Sequence, residues 1–565
     1  MAILKIIGII LEVLLLFNLL IVVHELGHFL AAKWRGLVIE GFGIWFGKPL
    51  WQKKIGGITY SLGSIPAGGF VKLPQLMDSA IEGESEFAGK ELPRLKPLDK
   101  IIVAFAGPLF SFGLACFFAI LVWQVGRPVT EAERTTIIGA VSPGSPAEKA
   151  GLKPGDKILS IDGHEIKRWG GQSVDSVTWC IAGGEEPTVH IEVLRDGKIL
   201  NLEAKPEIEK TRWYERRGLR QILIGPMNRP MVAKTEPGSP AANAGFLPND
   251  ILVRVGGQPI LDDSTITMWV QDHPGQPITI TVERGEKRAD GIVPTVDLTF
   301  EIKGFVLSAV FPDSPASRAG LQKGDHVISV DGDTDPHEKT FIEHVWAHDG
   351  KPVSVVVDRN GATKTITVTP EVPLEGSKKA SIGVQLSLGE GLVFDEHGKM
   401  WTINPTPVEQ VSGAAGAIFE TFKKLSPTSK SSIGIQQLGG PVMMMRIYYL
   451  LFESPQGWRL VLWFSVVINV NLALMNMLPI PPLDGSHITL ALIELIRGRP
   501  PGERTQWIVE RVQIAGTMLV IGFMLFISVF DVQDLFGGKK PPMRFKPHNS
   551  SDAAVRSGQP AARLA

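Results

Sequence analysis

Apolar residues along this chain fall into a few long runs separated by alternating and mixed stretches. Ile6 to Val23 reads IIGIILEVLLLFNLLIVV, about the length that crosses a hydrocarbon core of ~30 Å once the next turn is added. The run exceeds the ~7 to 15 apolar residues of a signal peptide and is followed by HELGHFLAAKWR rather than a small-residue cleavage site, so a retained span is expected. A second run, Ile101 to Val125, carries no charge. A third, Val461 to Leu478, contains Asn469, Asn471 and Asn476, and polar residues at membrane depth point to function. The fourth is Ile514 to Phe530.

Between the second and third runs the pattern repeats. Gly144 to Gly163, Gly238 to Gly257 and Asp313 to Gly332 share the order turn, short helix, loop and strand, and such self-similarity is a fold signature. In the first copy Ser145 suits an N-cap, Pro146 the first helical position and Gly151 a left-handed C′. Lys157 to Ile161 then alternates as a strand and ends in the Asp162-Gly163 turn.

Composition sharpens this picture. The 565 residues are 44% hydrophobic and 20% charged, too long a chain for one core, and 57 Lys+Arg against 58 Asp+Glu leave a net charge of -1. That balance offers no attraction for a polyanion, so no nucleic-acid partner is expected. Two cysteines, Cys116 and Cys180, make no disulfide framework. Short Lys/Arg-rich loops stay cytoplasmic, and the segment between the first two spans carries Lys33, Arg35, Lys48, Lys53, Lys54, Lys72, Arg94, Lys96 and Lys100. Both termini and the repeats, from about 126 to 435, are therefore expected outside; Lys539 and Lys540 after the fourth span pull the other way. The stretch Gly413 to Leu425 is amphipathic and is expected on the membrane surface.

Candidate chemistry lies at the end of the first span. His24-Glu25-Leu26-Gly27-His28 is an HExxH motif; four residues apart on a helix, both imidazoles can bind one Zn²⁺ while Glu25 reaches its water. The bland reading is a charged cluster at the interface. A catalytic zinc needs a third protein ligand, and Glu12 is three turns too far back. Asp484, in Asn476-Met-Leu-Pro479-Ile-Pro481-Pro482-Leu-Asp484-Gly485, falls on the same side of the membrane as the two His by the charge rule. A simple turn at Asp484-Gly485 is the alternative.

The three repeats resemble the bacterial type of PDZ domain, which implies α+β modules that take an extended chain as an added strand, often a C-terminus. Asn249 stands in the second copy where the others have Gly155 and Gly324; a rigid gate or spacer is the competing role. The whole chain resembles the site-2 protease family of intramembrane zinc metalloproteases, in its bacterial RseP type with PDZ domains. HELGH, GSIPAGGFVKL, AGP, LGGPV and NxxPxPxLDG carry that resemblance. It implies a polytopic α-helical membrane protein of about four spans with extracytoplasmic PDZ-like domains, and His24, His28 and Asp484 as Zn²⁺ ligands. It also implies Glu25 as catalytic base, Asn476 at the substrate or oxyanion, and Gly68 and Gly69, in a β-hairpin at about Glu40 to Lys72, against the substrate backbone.

The chain departs from the family at Trp45-Phe46-Gly47-Lys48, where a paired glycine is usual although Gly41 and Gly43 lie upstream, and at Ser111, where many members carry Asn. It also has three repeats rather than two. The expected organisation is a first span over 1–37, a membrane-associated hairpin and loop over 38–100 and a second span over 101–125. PDZ-like units follow at 133–208, 222–301 and 304–372, then a connector over 373–457. A third span with its motif over 458–487, a loop over 488–511, a fourth span over 512–531 and a disordered tail over 537–565 complete it. The expected function is zinc-dependent cleavage of transmembrane segments of pre-trimmed single-span proteins in the bacterial inner membrane, with the repeats periplasmic and the site toward the cytoplasm. Its rival is an inactive PDZ scaffold.

Overall fold

The computed structural model describes residues 2–76, 92–171, 173–211, 215–273, 275–286, 292–301, 305–334, 338–359, 361–374, 378–387, 391–454, 456–499 and 502–536. The tail expected over 537–565, and part of the loop before the second span, lie outside the described residues.

Among the described residues seven helices build the apolar part: α1 (Ala2–Arg35), α2 (Pro97–Val125), α3 (Pro407–Leu425), α4 (Pro441–Glu453), α5 (Gly457–Asn476), α6 (Asp484–Arg497) and α7 (Glu503–Phe536). Among the described residues four stretches are long and apolar enough to cross a membrane: Ile6–Arg35, Pro97–Val125, Gly457–Asn476 and Trp507–Asp534. Leu20, Ala115, Phe118, Ala119, Val122, Val466 and Val470 are buried between α1, α2 and α5. α1 and α2 touch closely, because a Cβ on Gly27 would lie 2.4 Å from the Ala106 carbonyl oxygen.

Over 458–487 the helix ends at Asn476, and the chain passes Pro479 and a cis Pro481-Pro482 bond before α6 begins at Asp484. Two expectations change here. The stretch 488–511 is accordingly mostly helix rather than loop, since Ile488 and Ala491 give α6 a buried face until Gly498, at φ +63°, ends it. The region Glu40 to Lys72 is a four-stranded mixed sheet, not a hairpin. Its strands are β1 (Gly41–Phe46), β2 (Trp51–Ile55), β3 (Ile58–Leu62) and β4 (Ile65–Lys72), in the order β2-β3-β1-β4, with β1 parallel to β3. Trp45, at φ +69°, makes the bulge that frees β1 to bend, and its indole donates to Asn18 on α1. Gly43 lies under the Phe70 ring and Gly47 turns the chain at φ +86°, so both glycine positions shape this element.

α3, the stretch expected on the membrane surface, packs one face inward. Ala414 and Gln410 are buried, and Gln410 Nε2 donates to the Ala119 carbonyl of α2 at 2.9 Å. Phe419 and Phe422 remain exposed on the other side.

The repeats form three modules with separate cores, around Ile138 to Ile222, Val232 to Phe300 and Phe305 to Ile382. Each short helix starts as its sequence dictates: Ser145, Ser239 and Ser314 accept from the N–H of Glu148, Ala242 and Ser317, and Gly151 takes φ +83°. Asn249 reaches φ +72° beside +92° at Gly155 and +91° at Gly324, so the odd second copy keeps the same backbone turn. The aspartate that follows is buried in every module and gripped by an arginine from a neighbouring strand. The pairs are Asp156 with Arg195, Asp250 with Arg284 and Asp325 with Arg359. Each arginine also donates to the carbonyl of the helix-ending glycine, Gly151, Gly245 or Gly320.

Module boundaries differ from those expected, because each module's closing strand lies far along the chain. Ile224–Pro226 pairs with Ile138–Val141 and extends the first module past 208. Val384–Ser387 pairs with Phe305–Val310 and extends the third past 372. The second closes with Leu392–Phe394 on Val232–Thr235, so the third module is nested inside the second. Met400–Ile403 then pairs with Arg127–Thr130, bringing the exit of this soluble segment beside its entry at the end of α2. Arg216, just before the closing strand of the first module, reaches Asp531 and Asp534 of α7 at 2.6 Å, and Asp531 also accepts the N–H groups of Gly440 and Met443 at the start of α4.

Candidate metal and active site

The sequence motifs from α1, α2 and the α5–α6 junction meet at one buried point. His24 and His28, one turn apart on α1, place their Nε2 atoms 3.3 Å from each other. Asp484, in the first turn of α6, brings Oδ2 to 3.2 Å from His24 Nε2 and Oδ1 to 3.4 Å from His28 Nε2. The chain can turn there because Gly485 sits on the end of α5: a Cβ would lie 2.3 Å from the Met477 carbonyl oxygen.

The outer faces of both rings are tied to α2. His28 Nδ1 is 2.8 Å from the Val103 carbonyl, which can only accept, so the proton is assigned to Nδ1 and Nε2 keeps its lone pair. His24 Nδ1 is 2.9 Å from the hydroxyl of Ser111, itself 0% exposed. The His28 lone pair, His24 Nε2 and a carboxylate thus point at one place, and Asp484 Oδ2 is buried without a hydrogen-bond partner despite its closeness to His24. Such a set of electron-pair donors is destabilised unless a cation sits among them. Two nitrogens, each held from behind by α2, and one carboxylate suit a tetrahedral zinc with a fourth position open.

A cavity of about 410 Å³ opens on this point and is lined by Ile21, Glu25, Gly69, Phe70, Asn476, His487 and Thr517 among others. Glu25 follows His24 on the helix and faces the cavity. Asn476 Nδ2 lies 3.3 Å from His24 Nε2. β4 is the edge strand beside the cavity, and Gly69 lets it approach: a Cβ there would stand 3.3 Å from Glu25 Cγ and 3.2 Å from the Gly43 carbonyl oxygen. Gly68, at φ +108°, instead packs under Phe46. Of the three asparagines of α5, only Asn476 reaches the cavity. Asn469 is buried and donates to the Ser465 carbonyl, and Asn471 Oδ1 is buried without a partner.

Sequence reasoning missed three contributors. Ser111 was noted only as a departure from a family pattern, yet a hydroxyl in an apolar span carries the same signal that marked Asn476. Gly107, in the AGP element, leaves room for a ligand: a Cβ there would lie 2.2 Å from His28 Nε2. His487, one turn beyond Asp484 on α6, also lines the cavity.

Comparison with known proteins agrees with this centre. The model of peptidase family M50 matches residues 12–520. The chain is 26% identical over 544 residues to the regulator of sigma-E protease RseP of Salmonella typhimurium, covering 90% of this chain and 95% of that one. It is 26% identical over 528 residues to the protein of the same name from Escherichia coli K12, covering 90% and 95%. A Pasteurella multocida protein named as a zinc metalloprotease is 24% identical over 514 residues, covering 91% and 96%. With the family model spanning most of its length, the chain belongs to peptidase family M50, the site-2 proteases, and is a zinc-dependent membrane metalloprotease.

Proposed function

We propose that the protein hydrolyses a peptide bond in or next to a transmembrane helix of a single-span substrate, with His24, His28 and Asp484 holding the zinc. The observation that carries this reading is the convergence of the two imidazole nitrogens and the two oxygens of the Asp484 carboxylate, in contacts of 3.2 to 3.4 Å, at a buried point beside an open strand edge. When bound, zinc supplies Lewis-acid polarisation of the carbonyl and lowers the pKa of water toward ~7.

The chain's own residues perform the remaining tasks. Glu25 takes the proton from the attacking water and delivers it to the leaving amine. Asn476 Nδ2 donates to the carbonyl oxygen as charge develops on it, a contact typically worth ~3 kcal/mol. A membrane helix hides its amides in its own hydrogen bonds, so a scissile stretch must unwind; β4 offers replacement partners as an added strand, with Gly69 giving it access.

The modules stand as PDZ-like gates on the opposite side of the membrane from the zinc site. In support, α2 runs from Val103 at the site to Val125 beside the modules, ~33 Å at 1.5 Å per residue, close to a hydrocarbon thickness of ~30 Å. The basic segment between α1 and α2 then faces the cytoplasm of a bacterial inner membrane. Substrates with bulky outer domains are excluded until an earlier cut trims them, and any C-terminus so exposed is a ligand for a module. Incubating wild type and Glu25→Gln with a single-span substrate in detergent tests the mechanism. The variant retains zinc and loses cleavage; undiminished cleavage by zinc-loaded Glu25→Gln overturns it.

A further inference from the structure

Outside the buried centre, one other group of described side chains converges in metal-ligand fashion. Asp331 sits in the turn after strand His326–Val330 of the third module at φ +48°. His344 lies in helix Glu338–Ala347 of the same module, and His348 follows immediately after that helix, one turn on. Their ligand atoms all lie within 4.8 Å of one another, and the two rings stack with centroids 4.1 Å apart.

We propose that Asp331, His344 and His348 form a second metal site, on the surface of the third module, for a borderline divalent cation such as Zn²⁺, Cu²⁺ or Ni²⁺. The donor chemistry is imidazole and carboxylate, which suits those ions rather than Ca²⁺ or Mg²⁺. Two of the three donors are oriented from behind. Asp331 Oδ1 accepts the Ser354 N–H at 2.7 Å, leaving Oδ2 to face His344 Nε2 at 2.7 Å. His348 Nδ1 donates to the His344 carbonyl at 2.7 Å, which keeps the lone pair on Nε2, and that nitrogen has no hydrogen-bond partner among the described residues. This is the outer support that metal-binding histidines usually carry. All three residues are at least partly exposed, so an ion reaches them from water.

A simple ion pair between Asp331 and His344 leaves His348 unexplained. The other modules isolate the difference. In the first, Asp162 occupies the same turn and accepts the His190 N–H at 2.8 Å, yet its helix Val177–Gly183 contains no histidine. In the second, Gly256-Gly257 replaces the aspartate. The oriented carboxylate is thus a property of the turn, and the histidine pair is added to it only in the third module. Bound metal would clamp the end of the helix to the strand turn.

The full chain in detergent, stripped with chelator and dialysed against Zn²⁺, tests this by metal analysis. Wild type is expected to bind two equivalents and His344→Ala/His348→Ala one, while His24→Ala/His28→Ala keeps the equivalent at the third module. His348→Gln, which leaves the Asp331–His344 bond in place, is expected to weaken that equivalent by at least about tenfold. Equal binding by wild type and both variants at His348, or no equivalent left in His24→Ala/His28→Ala, overturns the proposal without bearing on the catalytic centre.

Discussion

Gly107 shows how much of this centre depends on atoms that are missing. A Cβ at that position would occupy the space of His28 Nε2, so Gly107→Ala is expected to lower zinc occupancy and cleavage together, read by metal analysis and a substrate assay. Ser111→Ala removes only the support behind His24. It is expected to weaken zinc binding by about 10- to 100-fold, in the range of outer-support deletions, while the fold's thermal midpoint stays put. At this scale the motifs were readable in the chain: HExxH and the aspartate of the proline-rich motif stand out as residue patterns, and the structure brings their side chains together. Gly107 and Ser111 were not, because their roles depend on which turn of α2 faces α1. That register follows from the close contact at Gly27 and Ala106, which no local pattern reveals.

Among elements, the aspartate-arginine pairs of the modules are the clearest repeated device. Asp325 is fully buried, and although burial alone would raise its carboxyl, the Arg359 guanidinium and the Gln322 N–H hold it below the usual carboxylate range. The sign follows directly. A pKa depressed in the folded state adds stability that is complete above the unfolded value of ~3.9 and lost as pH falls through the lower folded one. Arg359→Ala leaves the carboxylate unpaired and is expected to destabilise the third module by about 3 kcal/mol near neutral pH. Denaturant unfolding from pH 7 to pH 3 checks this, with the gap between wild type and variant narrowing at the acid end. The repeats themselves were legible through caps, glycines and Asp-Gly turns. The sheet of β1 to β4 was less so, because the parallel β1–β3 pairing is a nonlocal choice, and alternation within a strand does not encode its partner.

For the whole molecule, nesting decides what can be removed. Residues 305–387 leave and rejoin the second module between Thr295–Phe300 and Leu392–Phe394. Replacing 305–387 with a short Gly-Ser linker is expected to keep zinc content and cleavage of a small single-span substrate, and to admit substrates with larger outer domains. Loss of cleavage of the small substrate would show that the third module is needed by the catalytic part. The Arg216 contact makes the opposite prediction, because Asp531 is 1% exposed and would be left buried without its cation. Arg216→Ala is expected to lower the thermal midpoint of the detergent-solubilised chain, and Arg216→Lys to recover part of it.

The nested arrangement also sets a timetable during synthesis. The second module lacks its closing strand until about 90 further residues have followed Phe300 through the ribosome, a wait of roughly 5 to 18 s at ~5 to 20 residues per second. Through that interval the edge of Val232–Thr235 stands open to any passing strand, while the third module can finish first. The inner module is therefore completed before its host, and its own termini, drawn together on folding, deliver Leu392–Phe394 to the edge that waits for it.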